Sequence, residues 1–293
     1  MSDLAVDTTA RLNVGQALAN AATRLQAAGV EGARRDARLL LAHVLDVGAE
    51  AILACPERVL TERQSADYET LVTRRAKREP LSRVLGEREF WGLGLRLSDA
   101  TLDPRPDSET LVEAVLENLS DRGEACSILD LGTGSGCLLL ALLTELPNAT
   151  GLGVDLDPGA VETARDNARR LDLAARAGFA VGDWGQALCR GWKVIVSNPP
   201  YITDTAIDSL APEVALYEPR RALDGGSDGL SAYRSLAPQL RRLLAPNGLA
   251  VLEVGAGQAA SVEALLTAAG LISRGRRRDL AGRDRCVLAT IAG

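Results

Sequence analysis

The sequence predicts an α/β chain: a Rossmann-like, doubly wound and mostly parallel sheet with an antiparallel C-terminal edge, preceded by a small helical domain. Three observations predict it. From Ser127 onward, strand-like and helix-like stretches alternate, the order of a doubly wound parallel sheet. Before about residue 80, apolar positions recur at three- and four-residue spacing instead. The first strand-like stretch of the second part ends in a glycine-rich turn, Gly132-Thr133-Gly134-Ser135-Gly136, where such a sheet binds its ligands.

In chain order, helical spacing covers residues 14–28, 33–46 and 62–78, with Asn13 and Thr61 as N-caps and Gly29, Gly48 and Pro80 near the ends. Residues 1–85 are therefore expected to form a helical domain. Residues 86–105 change character: Phe90 to Leu97 alternates and carries glycines where a hairpin turns, which predicts a hairpin connector. Pro104 and Pro106 interrupt regular structure before a helix from about Ser108 to Leu119. The third segment, residues 106–293, then supplies seven strand-like stretches: 128–131, 151–155, 178–181, 193–197, 249–254, 272–277 and 285–291. Helices are expected at 136–146, 158–171, about 230–244 and 258–269, and the last two strands form the antiparallel edge.

Bulk properties narrow the function classes. A length of 293 residues favours two domains. Hydrophobic residues make up 46% of the chain, yet the longest purely apolar run, Cys137 to Leu143, falls far short of the ~20 residues that span a bilayer. A soluble protein without membrane contact is expected, and Met1 to Asn13 has no apolar core of a signal peptide. The five cysteines, Cys55, Cys126, Cys137, Cys189 and Cys286, are scattered and form no C-x-x-C pair, so buried thiols in a reducing cytoplasm are expected rather than disulfides or a metal site. His43 is the only histidine and sits in an apolar helical run, which predicts a structural role. The net charge is −6; residues 1–100 hold fourteen basic and fourteen acidic side chains, so the remainder carries all of it. Nucleic-acid binders concentrate Lys and Arg on one face. The longest basic run here, Arg276-Arg277-Arg278, reads as a solvated strand end.

Two motifs carry chemistry. Gly132 to Gly136 has the spacing G-x-G-x-G, and Cys137 stands where the dinucleotide fingerprint needs its third glycine. These glycines let the backbone turn tightly and approach a ligand, with their amides expected to face it. Asp155, nineteen residues past Gly136 at the end of the second strand, can accept from both hydroxyls of a ribose. Asp183 and Trp184 follow the third strand and offer an acceptor beside a flat surface suited to adenine. The second motif is Asn198-Pro199-Pro200-Tyr201, closing the fourth strand. The prolines fix a stiff, non-helical exit that leaves the Asn198 side-chain oxygen and the Pro199 carbonyl able to grip both hydrogens of a planar amino group. Such a nitrogen is a poor nucleophile because its lone pair is conjugated. As conjugation breaks, those hydrogen bonds strengthen, which is selective binding of the transition state. Tyr201 can pack over the planar group. Together the motifs point to methyl transfer from S-adenosylmethionine onto a conjugated nitrogen, with Asn198, Pro199 and Tyr201 as catalytic residues, Asn198 to Tyr201 holding substrate, and no metal.

On these residues the chain resembles the HemK (PrmC) family of peptide chain release factor glutamine N5-methyltransferases. Arg88-Glu89-Phe90-Trp91, Pro104-Arg105-Pro106-Asp107-Ser108-Glu109, the Asp130 to Gly136 loop, Ser197 to Tyr201, Glu218-Pro219-Arg220 and Asp224-Gly225-Gly226 are all similar to its motifs. Asn-Pro-Pro-Tyr alone is shared with adenine-N6 and guanine-N2 methyltransferases. The resemblance implies that the substrate is the glutamine of the Gly-Gly-Gln motif in class 1 release factors and that the helical domain recognises that partner. It also implies that Gly132 to Gly136, Asp155 and Trp184 hold the cofactor, with Asn198 touching both ligands. A cytoplasmic monomer is expected. Asp103 departs from the commoner apolar residue before Pro-Arg-Pro, which bears on local packing. Three rivals stay open: an amino-methyltransferase of RNA or DNA, which the acidic charge disfavours; an NAD-dependent oxidoreductase, which Cys137 disfavours; and a silent binding module.

Overall fold

The computed structural model describes residues 12–292, so the reading of the first residues as leaderless lies largely outside the described part. The chain divides into two compact units, Met1–Leu85 and Gly86–Gly293.

The first unit is helical: α1 (Val14–Ala27), α2 (Ala33–Leu45), α3 (Ala51–Ala54), α4 (Glu62–Ala76) and α5 (Leu81–Leu85). Both expected N-caps form full capping boxes, Asn13 with Gln16 and Thr61 with Gln64, each satisfying orphan amides at both ends of the pair. Helix α2 stops at Asp46 in a left-handed conformation, two residues before Gly48. Val14, Leu25, Leu40, Leu41, Leu60 and Val72 close its core. Within it the buried Asp36 accepts from Arg75 Nε at 2.9 Å. His43 stands on the exposed face of α2, away from that core.

The second unit opens with a hairpin, β1 (Glu87–Phe90) and β2 (Leu93–Arg96), whose two turn residues, Trp91 and Gly92, both have left-handed φ (53° and 72°). Phe90 and Leu95 from the hairpin enter the main core, so it packs as part of this unit. A 3₁₀ turn over Pro106–Ser108 leads into α6 (Glu109–Asn118). There follow β3 (Ser127–Leu131), α7 (Cys137–Glu145), β4 (Thr150–Asp155), α8 (Pro158–Arg170), β5 (Ala177–Val181) and β6 (Trp192–Ser197). After two short helices, α9 (Asp204–Ile207) and α10 (Pro212–Ala215), come α11 (Ser231–Leu243), β7 (Leu244–Glu253), α12 (Ala259–Ala268), β8 (Ile272–Arg278) and β9 (Asp284–Thr290).

The seven main strands have the order β5-β4-β3-β6-β7-β9-β8. All neighbours are parallel except β9, which pairs antiparallel with both β7 and β8. The antiparallel edge is thus a single reversed strand inserted before the last. The apolar run of α7 is explained by burial: every residue from Leu138 to Leu143 is 0–4% exposed in the core on one sheet face. Helices α11 and α12 cover the other face, with Leu236, Leu240 and Val262 fully buried. Strand β7 begins at Leu244, earlier than the expected Leu249, because Trp192 pairs with Leu244 and the register then shifts through Pro246-Asn247-Gly248. The turn signal there is absorbed as an irregularity within a strand.

Candidate active site

The strand order reverses between β3 and β6, and the cleft beyond their carboxyl ends is where the two motifs meet. In the loop after β3, Gly132, Gly134 and Gly136 have φ of 76°, 55° and 83°, values that side chains strain to adopt. Thr133 Oγ1 donates to Asp130 Oδ2 at 2.7 Å beneath the loop. Asp130 is fully buried, and desolvation pushes its carboxyl up to about 7. Asp155 braces the loop from the next strand: its Oδ2 accepts from the Gly134 amide and its Oδ1 from the Asp157 amide, both at 2.9 Å. Each oxygen keeps a lone pair for a further donor. Burial raises the Asp155 pKa, opposed by those two amides.

The expectation that the loop amides face a ligand is corrected. Gly132 and Thr133 donate to the Val154 carbonyl, Gly134 to Asp155, and Gly136 to the Thr133 carbonyl. The loop spends these donors on its own shape and offers close backbone approach instead.

A recess of about 180 Å³ is lined by Gly132, Thr133, Gly134, Ser135, Asp155, Asp183, Trp184, Asn198 and Pro200. Gly136 does not reach it; a Cβ there would lie 3.2 Å from Ala164 of α8, so its missing side chain serves helix packing. Trp184 has a left-handed φ of 50° and closes over the loop, 3.3 Å from where a Cβ on Gly132 would sit. Asp183 is exposed and accepts from Gln186 Nε2 at 2.6 Å. Leu156, 61% exposed, adds an apolar wall that the sequence reading missed.

A second recess, about 200 Å³, is lined by Leu102, Arg105, Tyr201, Leu210 and Val214 among others, and Asn198 lines both. The segment after Tyr201 supplies its outer wall through Ile202, Leu210, Val214 of α10, Ala222 and Leu223. That segment is held in place where Ile202 bridges Asp224 and where Gly225 passes so close that a Cβ would sit 2.9 Å from Tyr201 Cα. Pro199 is buried and lines neither recess. Asp103, the acidic departure before Pro104, is buried beside Arg88 at 3.5 Å and Arg105 at 3.9 Å, and its amide donates to Glu218 at 3.2 Å. Compensating charge is what accommodates it.

Behind Asn198 lies a polar cluster that the sequence reading did not name. Asn198 Nδ2 donates to Ser108 Oγ at 3.1 Å, and Ser108 Oγ donates to Glu253 Oε2 at 2.6 Å. The Tyr201 hydroxyl donates to Glu253 Oε1 at 3.2 Å. One signal was present in the sequence: Glu253 is the lone charge in the apolar strand Leu249 to Val254, and an unpartnered carboxylate is rarely buried.

Residues 16–86 match the family described as PrmC N-terminal domain, and residues 100–229 match the methyltransferase small domain. The release factor glutamine methyltransferase of Rhodospirillum rubrum is 53% identical over 278 residues, covering 95% of this chain and 85% of that protein. The chain belongs to the release factor glutamine methyltransferase family. The enzyme of that name from Bradyrhizobium diazoefficiens is 48% identical over 271 residues, 92% of this chain and 91% of its own. A methyltransferase structure from Pyrococcus furiosus shares the fold at a TM-score of 0.51 and 15% identity, over 69% of this chain and 90% of that one. As a release factor glutamine methyltransferase family member, the chain is an S-adenosylmethionine-dependent methyltransferase.

The first recess fits that cofactor chemically. It sets carboxylate acceptors, Asp155 and Asp183, near apolar and aromatic surfaces, Leu156 and Trp184, which suits a nucleoside with free hydroxyls and a flat base. A Cβ at Gly134 would meet nothing within 4 Å, so the loop opens toward free space there.

Proposed function

We infer that this chain transfers a methyl group from S-adenosylmethionine to the side-chain amide nitrogen, N5, of the glutamine in the Gly-Gly-Gln motif of class 1 peptide chain release factors. The observation that carries the reading is Asn198 at the join of two recesses, one suited to a nucleoside and one bounded by Tyr201. Gly132, Thr133, Gly134, Ser135, Asp155, Asp183 and Trp184 hold the cofactor, whose bound sulfonium supplies an electrophilic methyl group. Asn198 Oδ1, which lines both recesses, accepts one N–H of the glutamine amide and aims its nitrogen, and the second N–H is assigned to the carbonyl of the adjoining Pro199, whose own surface is buried here. Both bonds tighten as the amide loses conjugation, so their stabilisation is greatest at the transition state. Tyr201 packs beside the amide and stays protonated, since burial and Glu253 raise its pKa, so it acts by contact and not as a base. The glutamine nitrogen forms its bond to carbon as the methyl–sulfur bond breaks and gives up one N–H proton to water, with S-adenosylhomocysteine as the second product, so positioning is the main catalytic device.

The helical unit recognises the release factor, and the enzyme works as a cytoplasmic monomer on a protein and not on nucleic acid. The basic run supports this last part: Arg276 pairs with Glu263 and, at 3.0 Å, with Asp284, Arg277 with Glu113 at 3.3 Å and Glu117, and Arg278 with Asp284 at 3.2 Å. These surface pairs offset the positive charge of the run, and its guanidinium groups on edge strand β8 disfavour edge-to-edge pairing. No helix among the described residues is long and apolar enough to cross a membrane. The direct test is incubation with labelled S-adenosylmethionine and purified release factor, followed by peptide mass mapping. One methyl group on the glutamine of the Gly-Gly-Gln peptide is expected; an unmodified glutamine would refute the assignment.

A further inference from the structure

We propose that Ser108 and Glu253 are positioning residues that fix which end of the Asn198 amide faces the substrate. The inference rests on the reading of Asn198 as the residue that holds the reacting amide. An asparagine side chain is nearly symmetric in shape, with oxygen and NH2 interchangeable by a half-turn, and only its oxygen can accept from a glutamine N–H. Something must therefore choose the orientation.

The choice is made two hydrogen bonds away, at Glu253. A carboxylate accepts hydrogen bonds and cannot donate. Ser108 therefore spends its one proton on Glu253 Oε2, at 2.6 Å, and toward Asn198 it can only accept. The Asn198 NH2 must then point at Ser108, 3.1 Å away, which leaves Oδ1 for the substrate. Glu253 and Ser108 are 1% and 2% exposed, so water does not scramble the chain of bonds. The carboxylate is pinned on its other side by the Tyr201 hydroxyl at 3.2 Å, while the Glu253 carbonyl accepts from the Tyr233 hydroxyl at 2.8 Å. Burial raises the Glu253 pKa; the bond from Ser108, the charge of Arg285 and the bond from Tyr201 favour the anion. Ser108 comes from the turn before α6 and Glu253 from the end of β7, so the device draws on elements that no local motif connects.

The test measures kcat on release factor, cofactor affinity by calorimetry, and thermal unfolding, for Ser108→Ala, Ser108→Thr, Glu253→Gln and Asn198→Ala. Ser108→Ala frees the Asn198 amide to take either orientation and is expected to lower kcat about tenfold, the scale of one hydrogen bond, with cofactor Kd within about twofold. Ser108→Thr keeps the hydroxyl and should keep most of kcat. Glu253→Gln offers Ser108 a donor as well as an acceptor and should lower kcat comparably; if that variant does not fold, Ser108→Ala carries the test. Adding Ser108→Ala to Asn198→Ala should cost nothing further, because both act through one amide. Unchanged kcat in Ser108→Ala, an additive loss in the double variant, or equal losses in Ser108→Ala and Ser108→Thr would overturn the inference. Full activity of Asn198→Ala would instead overturn the reading of the site itself, so the two failures are distinguishable.

Discussion

Asp155 holds two amides of its own chain and still has lone pairs to give, so its removal has two consequences. Asp155→Ala is expected to weaken S-adenosylmethionine binding by roughly 1.5 to 3 kcal/mol, the range for hydrogen bonds to a charged group, with part of the loss arising from a loosened Gly134. An unchanged dissociation constant in titration calorimetry would remove Asp155 from the ribose. Asn198 should behave differently, because the contacts proposed for it strengthen as the amide reacts. Asn198→Ala should lower kcat by roughly 10² to 10³ with far less change in cofactor affinity. In Asn198→Asp the NH2 that Ser108 accepts is gone and two oxygens meet, so this variant should also lose most glutamine methylation. Residues such as Asp155 and Asn198 were legible because each closes a strand, and strand ends can be read from alternation. The pairing of Ser108 with Glu253 was not: the two lie 145 positions apart and meet only through the order of elements, which no periodicity encodes.

At the scale of elements, the loop after β3 is held by a buried acid. Asp130 keeps its proton in the folded chain up to about pH 7 because desolvation disfavours the anion, whereas in the unfolded chain it loses the proton near 3.8. Between those values the native state binds more protons than the unfolded state. Stability therefore falls as pH rises through that window and levels off above it. Asp130→Asn keeps an acceptor for Thr133 and removes the ionisation. Its stability relative to the parent should accordingly rise between about pH 4 and 7, read from urea midpoints; a constant difference would show that Asp130 does not titrate in that range. The long elements here were readable in the sequence for a simple reason: each presents several periods of apolar residues to one core. The four-residue helices α3, α9 and α10 present barely one turn, too short for a period to register. The reversal of β9 between β7 and β8 is likewise a matter of neighbours, and a strand's own residues do not name its neighbours.

The whole molecule contains separate hydrophobic cores. One is built from Val14 to Val84 within the helical unit, and two others flank the main sheet with members from Phe90 onward. Everything that lines the two recesses at Asn198 belongs to residues 100–223. A chain of residues 86–293 therefore carries its own cores and the complete lining of both recesses. The expectation is that it folds cooperatively, binds S-adenosylmethionine with nearly the parental dissociation constant, and methylates release factor with a raised KM, since the helices lost are those assigned to the protein partner. Circular dichroism, calorimetry and steady-state kinetics on the truncated and full chains separate the possibilities. If a well-folded truncation loses cofactor affinity, the helical unit supports the nucleoside site. If its KM for release factor is unchanged, recognition resides in the sheet unit, and the outer wall built by the segment from Ile202 to Leu223 becomes the surface that selects the partner.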